Sequence, residues 1–290
     1  MQRLGFLLDM DGVVYSGAKT IPGATDFVAQ LLERKIPFAF ITNNSQYTRR
    51  DIAIRLRRMG FGHIKEQHIY TSAMATGTFL ASQIPGGTAF VLGEQGLVLS
   101  LHENGFAMVD KDPDFVVVGE GRNFTLERLE KAIDFVIDGA KLIATNLDPS
   151  PRIKGWNKPG IAAIVALLEN ATGKKAFSVG KPNPVMLRAA RKSLGLQSAE
   201  TCIIGDTMQT DILGGVQLGL KTILTLSGWS TREILKEYSY KPDLVIDSIA
   251  DLDLDRLLES GVTEDALGVK GESKTEGRSE GKTPKVAANL

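Results

Sequence analysis

Short apolar runs alternate with amphipathic segments along most of the chain. Leu4 to Leu8, Phe38 to Ile41, Ala89 to Leu92, Phe115 to Val118, Leu142 to Ala144, Phe177 to Val179, Cys202 to Ile204 and Thr222 to Leu226 read as strands. Between them, Ala24 to Arg34, Arg49 to Met59, Leu126 to Ile137, Pro184 to Leu194 and Gln209 to Leu218 carry the spacing of amphipathic helices. Strands buried on both faces read as continuous apolar runs, and their alternation with helices predicts parallel sheets covered on both sides. The predicted class is α/β, with a doubly wound parallel sheet.

In such sheets ligands bind beyond the carboxyl ends of the strands, so polar residues directly after the runs are the ones to collect. Four groups emerge: Asp9 and Asp11, Thr42-Asn43-Asn44, Gly180-Lys181-Pro182, and Gly205-Asp206. A second set, Gly93-Glu94, Gly119-Glu120 and Thr145-Asn146-Leu147-Asp148, lies within residues 81–179. That section lacks the acidic pair and reads as a second, inserted α/β domain. The expected division is therefore a discontinuous core of residues 1–80 and 180–262, an insert of 81–179, and a tail of 263–290. From about Gly261 the composition turns to Gly, Ser, Thr, Lys and Glu. Such a stretch buries too little apolar surface to offset its ordering entropy, so it is expected to be disordered.

Composition narrows the partners. Hydrophobic residues make up 43% of the chain, ample for a core, and Lys+Arg and Asp+Glu both total 34. With no net field to recruit nucleic acid or an anionic membrane, a small molecule is the expected partner. Cys202 is the single cysteine, within an apolar run, which excludes an internal disulfide and suits a reducing, cytoplasmic setting. Asp9 arrives too soon for a signal peptide, and the stretch Ile161 to Leu168 is well short of the roughly 20 residues a membrane span requires.

The acids Asp9 and Asp11 follow the first run. On an extended chain residues i and i+2 point the same way, so both would address one point. Like charges there need a cation or a shared proton, which leaves three readings: a Mg²⁺ site, an acid/base pair, or a nucleophile beside an acid. Asp11-Gly12 also suits a simple turn, but the residues after it do not fit a calcium loop. Taken one at a time, Thr42-Asn43-Asn44 suits a loop, Lys181-Pro182 a helix lead-in and Asp206 a helix cap. Together, each at a strand end, they supply what phosphoryl transfer requires. Asp9 is the expected nucleophile, and Asp11 the acid that protonates the leaving oxygen and then, as base, activates water. Asp9, Asp206 and a main-chain carbonyl near Asp11 are the expected Mg²⁺ ligands. The Thr42 hydroxyl and Asn43 N–H are expected on the phosphoryl oxygens, with Lys181 balancing their charge. Asp211 is expected behind them, steadying a metal-bound water or Lys181.

These motifs resemble those of the haloacid dehalogenase superfamily of phosphohydrolases: Asp9-Met10-Asp11-Gly12-Val13, Thr42-Asn43-Asn44, Lys181-Pro182, and Gly205-Asp206-Thr207-Met208-Gln209-Thr210-Asp211. Within it the chain is similar to the NagD-like phosphatases, through Tyr70-Thr71-Ser72-Ala73, Pro113 to Glu120, Ala144 to Asp148 and Gly180 to Pro184. The resemblance runs from about Leu4 to Leu258. It implies a Rossmann-like core interrupted by a large α/β cap, Mg²⁺ dependence, and hydrolysis of small phosphomonoesters such as UMP or a sugar phosphate. A homodimer through the cap would fit the family. Pro149 to Lys158 is where the chain departs most from its relatives, so Trp156, Lys154 and Arg152 are candidate substrate contacts, with packing of Trp156 as the competing role.

Other classes fit less well. Gly119-Glu120-Gly121 lacks the third glycine of a dinucleotide turn, Leu220 interrupts any phosphate loop at Gly219 and Lys221, and His63, His68 and His102 have no zinc spacing. A phospho-Asp receiver module shares the residue types, but there Lys181 should not precede Asp206 and no insert is needed. A phosphomutase of the same superfamily would use the same core.

Overall fold

The computed structural model describes residues 4–122, 124–149 and 159–268. The first sheet takes its strands from the two ends of that span: β1 (Gly5–Asp9), β4 (Phe38–Thr42) and β5 (Ile69–Thr71), then β11 (Thr201–Gly205), β12 (Lys221–Thr225) and β13 (Leu244–Ile246). All are parallel, in the order β13-β12-β11-β1-β4-β5. A second parallel sheet, β10-β9-β8-β6-β7, is built from β6 (Thr88–Leu92), β7 (Ala107–Met108), β8 (Phe115–Val118), β9 (Lys141–Ala144) and β10 (Phe177–Ser178). A hairpin of β2 (Tyr15–Ser16) and β3 (Lys19–Thr20) follows β1. The helices are α1 (Ala24–Glu33), α2 (Arg49–Arg58), α3 (Ser72–Gln83), α4 (Gln95–Glu103), α5 (Leu126–Ile137), α6 (Ile161–Thr172), α7 (Pro184–Ser193), α8 (Leu213–Leu218) and α9 (Leu254–Ser260).

β1 shows how sequence becomes layers. Phe6 and Leu8 point to one side, into a cluster with Phe27 and Leu31 of α1 and Ile52 and Leu56 of α2. Leu7 points to the other, with Ala39, Ile41 and Ile203. That second cluster continues through Ala73 and Leu80 of α3 and Met186 and Leu187 of α7 to Val91, Val117 and Ile143 of the second sheet. Core and insert thus share one apolar layer, and Ser100 of α4 donates to the Ala73 carbonyl across it at 3.0 Å. The far face of the second sheet is closed separately by α5 and α6, with Leu129, Val136, Ile164 and Leu168 buried there.

Three sequence expectations change. The tail does not begin at 261–263: Val262 and Ala266 are buried in the core, and Leu252 bridges Leu267. The buried Val262 and Ala266, with backbone bonds from the Asp253 N–H to the Ala266 carbonyl and from the Gly268 N–H to the Asp251 carbonyl, hold a segment whose average composition is polar. The short strands β5, β7 and β13 and the helices α3, α4 and α6 add to the elements read from the pattern. Most of α3 is Ala, Ser, Thr and Gly, too small-sided to give a clear amphipathic spacing. Finally, Gln209 to Leu218 is not one helix: a π-helical turn, Met208–Ile212, precedes α8. Among the described residues no helix is long and apolar enough to cross a membrane.

Candidate active site

β1 is the switch point of the first sheet, since the chain leaves it toward β4 on one side and returns to β11 on the other. The crevice between diverging connections opens there, and Asp9 ends that strand. Lys181, 4% exposed, enters from the segment after β10; its Nζ donates to Asp9 Oδ1 at 2.6 Å and to Asp211 Oδ1 at 2.7 Å. Asp206 follows β11 and is not a helix cap. Its Oδ2 accepts from the Trp229 N–H at 2.7 Å and its Oδ1 from the Thr207 hydroxyl at 2.9 Å. Two glycines make room for it: a Cβ on Gly228 would lie 2.0 Å from Asp206 Oδ2, and one on Gly12, where φ is +83°, 2.3 Å from the same atom.

Oxygens of Asp9, Asp206 and Asp211 all lie within 4.8 Å of one another. Asp211, expected to steady Lys181 or a metal-bound water, accepts from Lys181 Nζ and has an oxygen beside those of the other two acids. Its N–H and that of Ile212 both donate to the Thr207 carbonyl, at 3.1 and 3.3 Å, where the π-helical turn begins. Burial pushes Asp9 well above the ordinary carboxylate value, Lys181 opposes it, and Asp211 and Asp206 add to it. Asp206 is raised to about 6, by burial first and Asp211 next. Burial works against the Lys181 ammonium, but Asp211 and Asp9 outweigh it and raise its pKa. One buried cation thus faces two buried carboxylates and a partly buried one. The surplus negative charge and the hard oxygen donors fit a divalent ion such as Mg²⁺.

Asp11 differs from expectation in its backbone. The strand ends at Asp9, and the Met10 carbonyl gathers the N–H groups of Val13, Val14 and Tyr15 at 3.3, 3.0 and 3.2 Å. The two acids therefore sit on a strand end and the turn after it, not on one extended segment. Among the described residues, the Asp11 carboxylate is not in the three-acid group; it is exposed, with burial of its surroundings raising its pKa and Arg55 opposing that. Arg55 also donates to the Gly17 carbonyl at 2.8 Å and lies over the Tyr15 ring at 4.6 Å, tying the hairpin to α2.

Thr42 ends β4 and Asn43 follows it, both buried. Thr42 Oγ1 accepts from the Asn44 N–H at 3.1 Å, which leaves the hydroxyl proton to donate. Asn43 Oδ1 accepts from the Lys181 N–H at 2.8 Å while its Nδ2 donates to the Lys181 carbonyl at 3.0 Å. The second set of strand-end residues, which the sequence collected without a role, packs against this loop. Ser45 N–H donates to Glu120 Oε2 and Ser45 Oγ accepts from the Glu120 N–H, both at 2.8 Å. Asn146 Nδ2 donates to the Asn43 carbonyl at 2.8 Å, and Thr145 Oγ1 to Ser45 Oγ at 3.1 Å. Arg152, Lys154 and Trp156 lie outside the described residues.

A carboxylate–ammonium pair and a cluster of three acids stand at the switch point of a parallel sheet, with residues of the second α/β unit bonded to the loop beside them. The comparisons give the class, a phosphoric monoester hydrolase. The family model described as haloacid dehalogenase-like hydrolase matches residues 6–107, and a second HAD-hydrolase-like model matches 178–252. The chain is 41% identical over 250 residues to the dihydroxyacetone phosphatase of Corynebacterium glutamicum, covering 86% of this chain and 90% of that one. It is 39% identical over 248 residues to the ribonucleotide monophosphatase NagD of Escherichia coli K12, covering 86% and 97%. The solved structure of NagD from E. coli K-12 superposes with a TM-score of 0.82 at 38% identity, over 88% of this chain and all of that one. The chain belongs to the haloacid dehalogenase superfamily, among its NagD-like phosphatases.

Proposed function

We propose that the chain hydrolyses small phosphomonoesters with Mg²⁺ through a phosphorylated Asp9, acting on a ribonucleoside monophosphate such as UMP or on a sugar phosphate. The observation that carries the reading is Lys181 Nζ held between Asp9 and Asp211, at 2.6 and 2.7 Å. An ammonium so placed neutralises the nucleophile's surroundings and meets an incoming phosphoryl group with positive charge. The names of the relatives, a dihydroxyacetone phosphatase and a ribonucleotide monophosphatase, support the substrate class.

Asp9 attacks phosphorus with one carboxylate oxygen, and the bond from phosphorus to the ester oxygen breaks. Asp11 gives that oxygen its proton, so the alcohol leaves neutral. Asp11 then takes a proton from water as the water attacks phosphorus, and the Asp9–phosphorus bond breaks to release phosphate. The Thr42 hydroxyl and the Asn43 N–H hold the phosphoryl oxygens in line. Asp9, Asp206 and a carbonyl near Asp11 would hold Mg²⁺, with the Asp211 carboxylate close by, and the ion when bound would neutralise charge on the phosphoryl group.

The test is hydrolysis of 4-nitrophenyl phosphate with Mg²⁺, its loss in EDTA and its return on adding Mg²⁺. Asp9→Asn should lower kcat by at least about 10³-fold. Retained activity in that variant removes Asp9 as nucleophile. Comparing kcat/KM across nucleoside monophosphates and sugar phosphates decides the substrate: UMP ranking below every sugar phosphate moves the assignment to the sugar class.

A further inference from the structure

Cap strand β9 runs into Thr145-Asn146-Leu147-Asp148, and the last residue reaches back to the core. Asp148 Oδ1 accepts from Asn43 Nδ2 at 2.9 Å, the same amide nitrogen that donates to the Lys181 carbonyl at 3.0 Å. Asp148 is itself held, because its N–H donates to Asn146 Oδ1 at 2.9 Å and Asn146 Nδ2 returns to the Asn43 carbonyl at 2.8 Å. Ser72 Oγ donates to that carbonyl as well, at 2.5 Å. The result is a closed ring, Asn43 to Asp148 to Asn146 and back to Asn43.

Every polar position of the Asn43 side chain is thereby used: both amide hydrogens donate and the oxygen accepts from the Lys181 N–H. Two of those bonds grip the Lys181 backbone and the third ties the grip to the cap. Lys181 can carry its ammonium to Asp9 and Asp211 only while its backbone stays in place. We infer that Asp148 is a positioning residue for hydrolysis, a cap carboxylate that fixes Asn43 and, through Asn43, the lysine that organises the nucleophile. The inference rests on the phosphatase reading. It gives the cap a part in catalysis besides covering the site: a cap loop that shifts at Asp148 loosens the core site at Lys181.

A carboxylate bonded to an amide contributes through its acceptor oxygen, so the neutral isostere should serve nearly as well as the acid. Hydrolysis of 4-nitrophenyl phosphate by wild type first settles whether the phosphatase reading stands. Given that activity, Asp148→Ala should lower kcat/KM roughly 10- to 100-fold, the scale expected when a catalytic group is misplaced by an ångström or less. Asp148→Asn, whose Oδ1 still accepts from Asn43, should stay within about threefold of wild type. Adding Asp148→Ala to Asn43→Ala should cost less than about threefold more, because both act on one link. Circular dichroism confirms that each variant is folded at the assay temperature, and Asp148→Ser replaces the alanine variant if that one is not. The inference is overturned if Asp148→Ala keeps wild-type activity, if Asp148→Asn is as impaired as Asp148→Ala, or if the two alanine substitutions are additive.

Discussion

Glu120→Gln should stabilise the protein, and by more at pH 8 than at pH 5. Glu120 lies two residues past strand β8 and is clasped by Ser45 through two bonds of 2.8 Å. Burial raises its carboxyl from the ordinary 4.5 to about 7; the Ser45 N–H opposes the rise, Asp148 adds to it and Asn146 opposes it. Below 4.5 the group is neutral in both folded and unfolded chains and contributes nothing. Between 4.5 and 7 the unfolded chain has released the proton and the folded chain has kept it, so stability falls as pH rises, and above 7 the full penalty is in force. A rise from 4.5 to about 7 corresponds to roughly 3 kcal/mol, reduced to about 2 because solvent reaches part of the side chain. Glutamine keeps an oxygen for the Ser45 N–H and carries no charge at any of these pH values. Thermal unfolding of both proteins should therefore show the variant's advantage in Tm growing by about 5 °C from pH 5 to pH 8. An advantage that stays flat across that range, or shrinks, refutes the argument that buried charge at the core–cap seam costs stability.

Two further perturbations test the site's support and the chain's end. Gly228→Ala puts a methyl group 2.0 Å from Asp206 Oδ2, so the carboxylate must move; the Mg²⁺ concentration for half-maximal activity should rise about tenfold, and an unchanged Mg²⁺ titration counts against that crowding. A chain ending at Ser260, compared with one ending at Gly268, loses buried Val262 and Ala266 and the bond from the Asp253 N–H to the Ala266 carbonyl. It should be about 2–4 kcal/mol less stable in urea, and equal midpoints would show that 261–268 only decorates the core.

Asp9, Thr42, Asn43, Lys181 and Asp206 were legible because each falls within two residues of the end of an apolar run. Parallel strands buried on both faces have little choice of residue along their length, so the first polar residues past each one stand out. The same rule flagged Glu120, Thr145, Asn146 and Asp148, yet without a role. Their partners, Ser45 and Asn43, are 75 to 105 residues away in the chain, and no local pattern pairs them. Ser72 and Gly228 carry no periodic signal at all, and the roles of both depend on what the fold brings opposite them.

The sequence by itself determined the α/β class, the order of the motifs and the chemical inventory, because hydrophobic periodicity and residue type are properties of a segment alone. Three other things came only with the tertiary structure: that Asp211 and Asp9 meet the same Lys181 ammonium; that Asp11 lies past the strand end, beside a turn; and that Asn43 bonds both Asp148 of the second unit and the Lys181 backbone. Each depends on local winding or on a contact between distant segments. Such features are set by how packed layers meet in space, and the pattern along the chain records only that each segment has a face to bury.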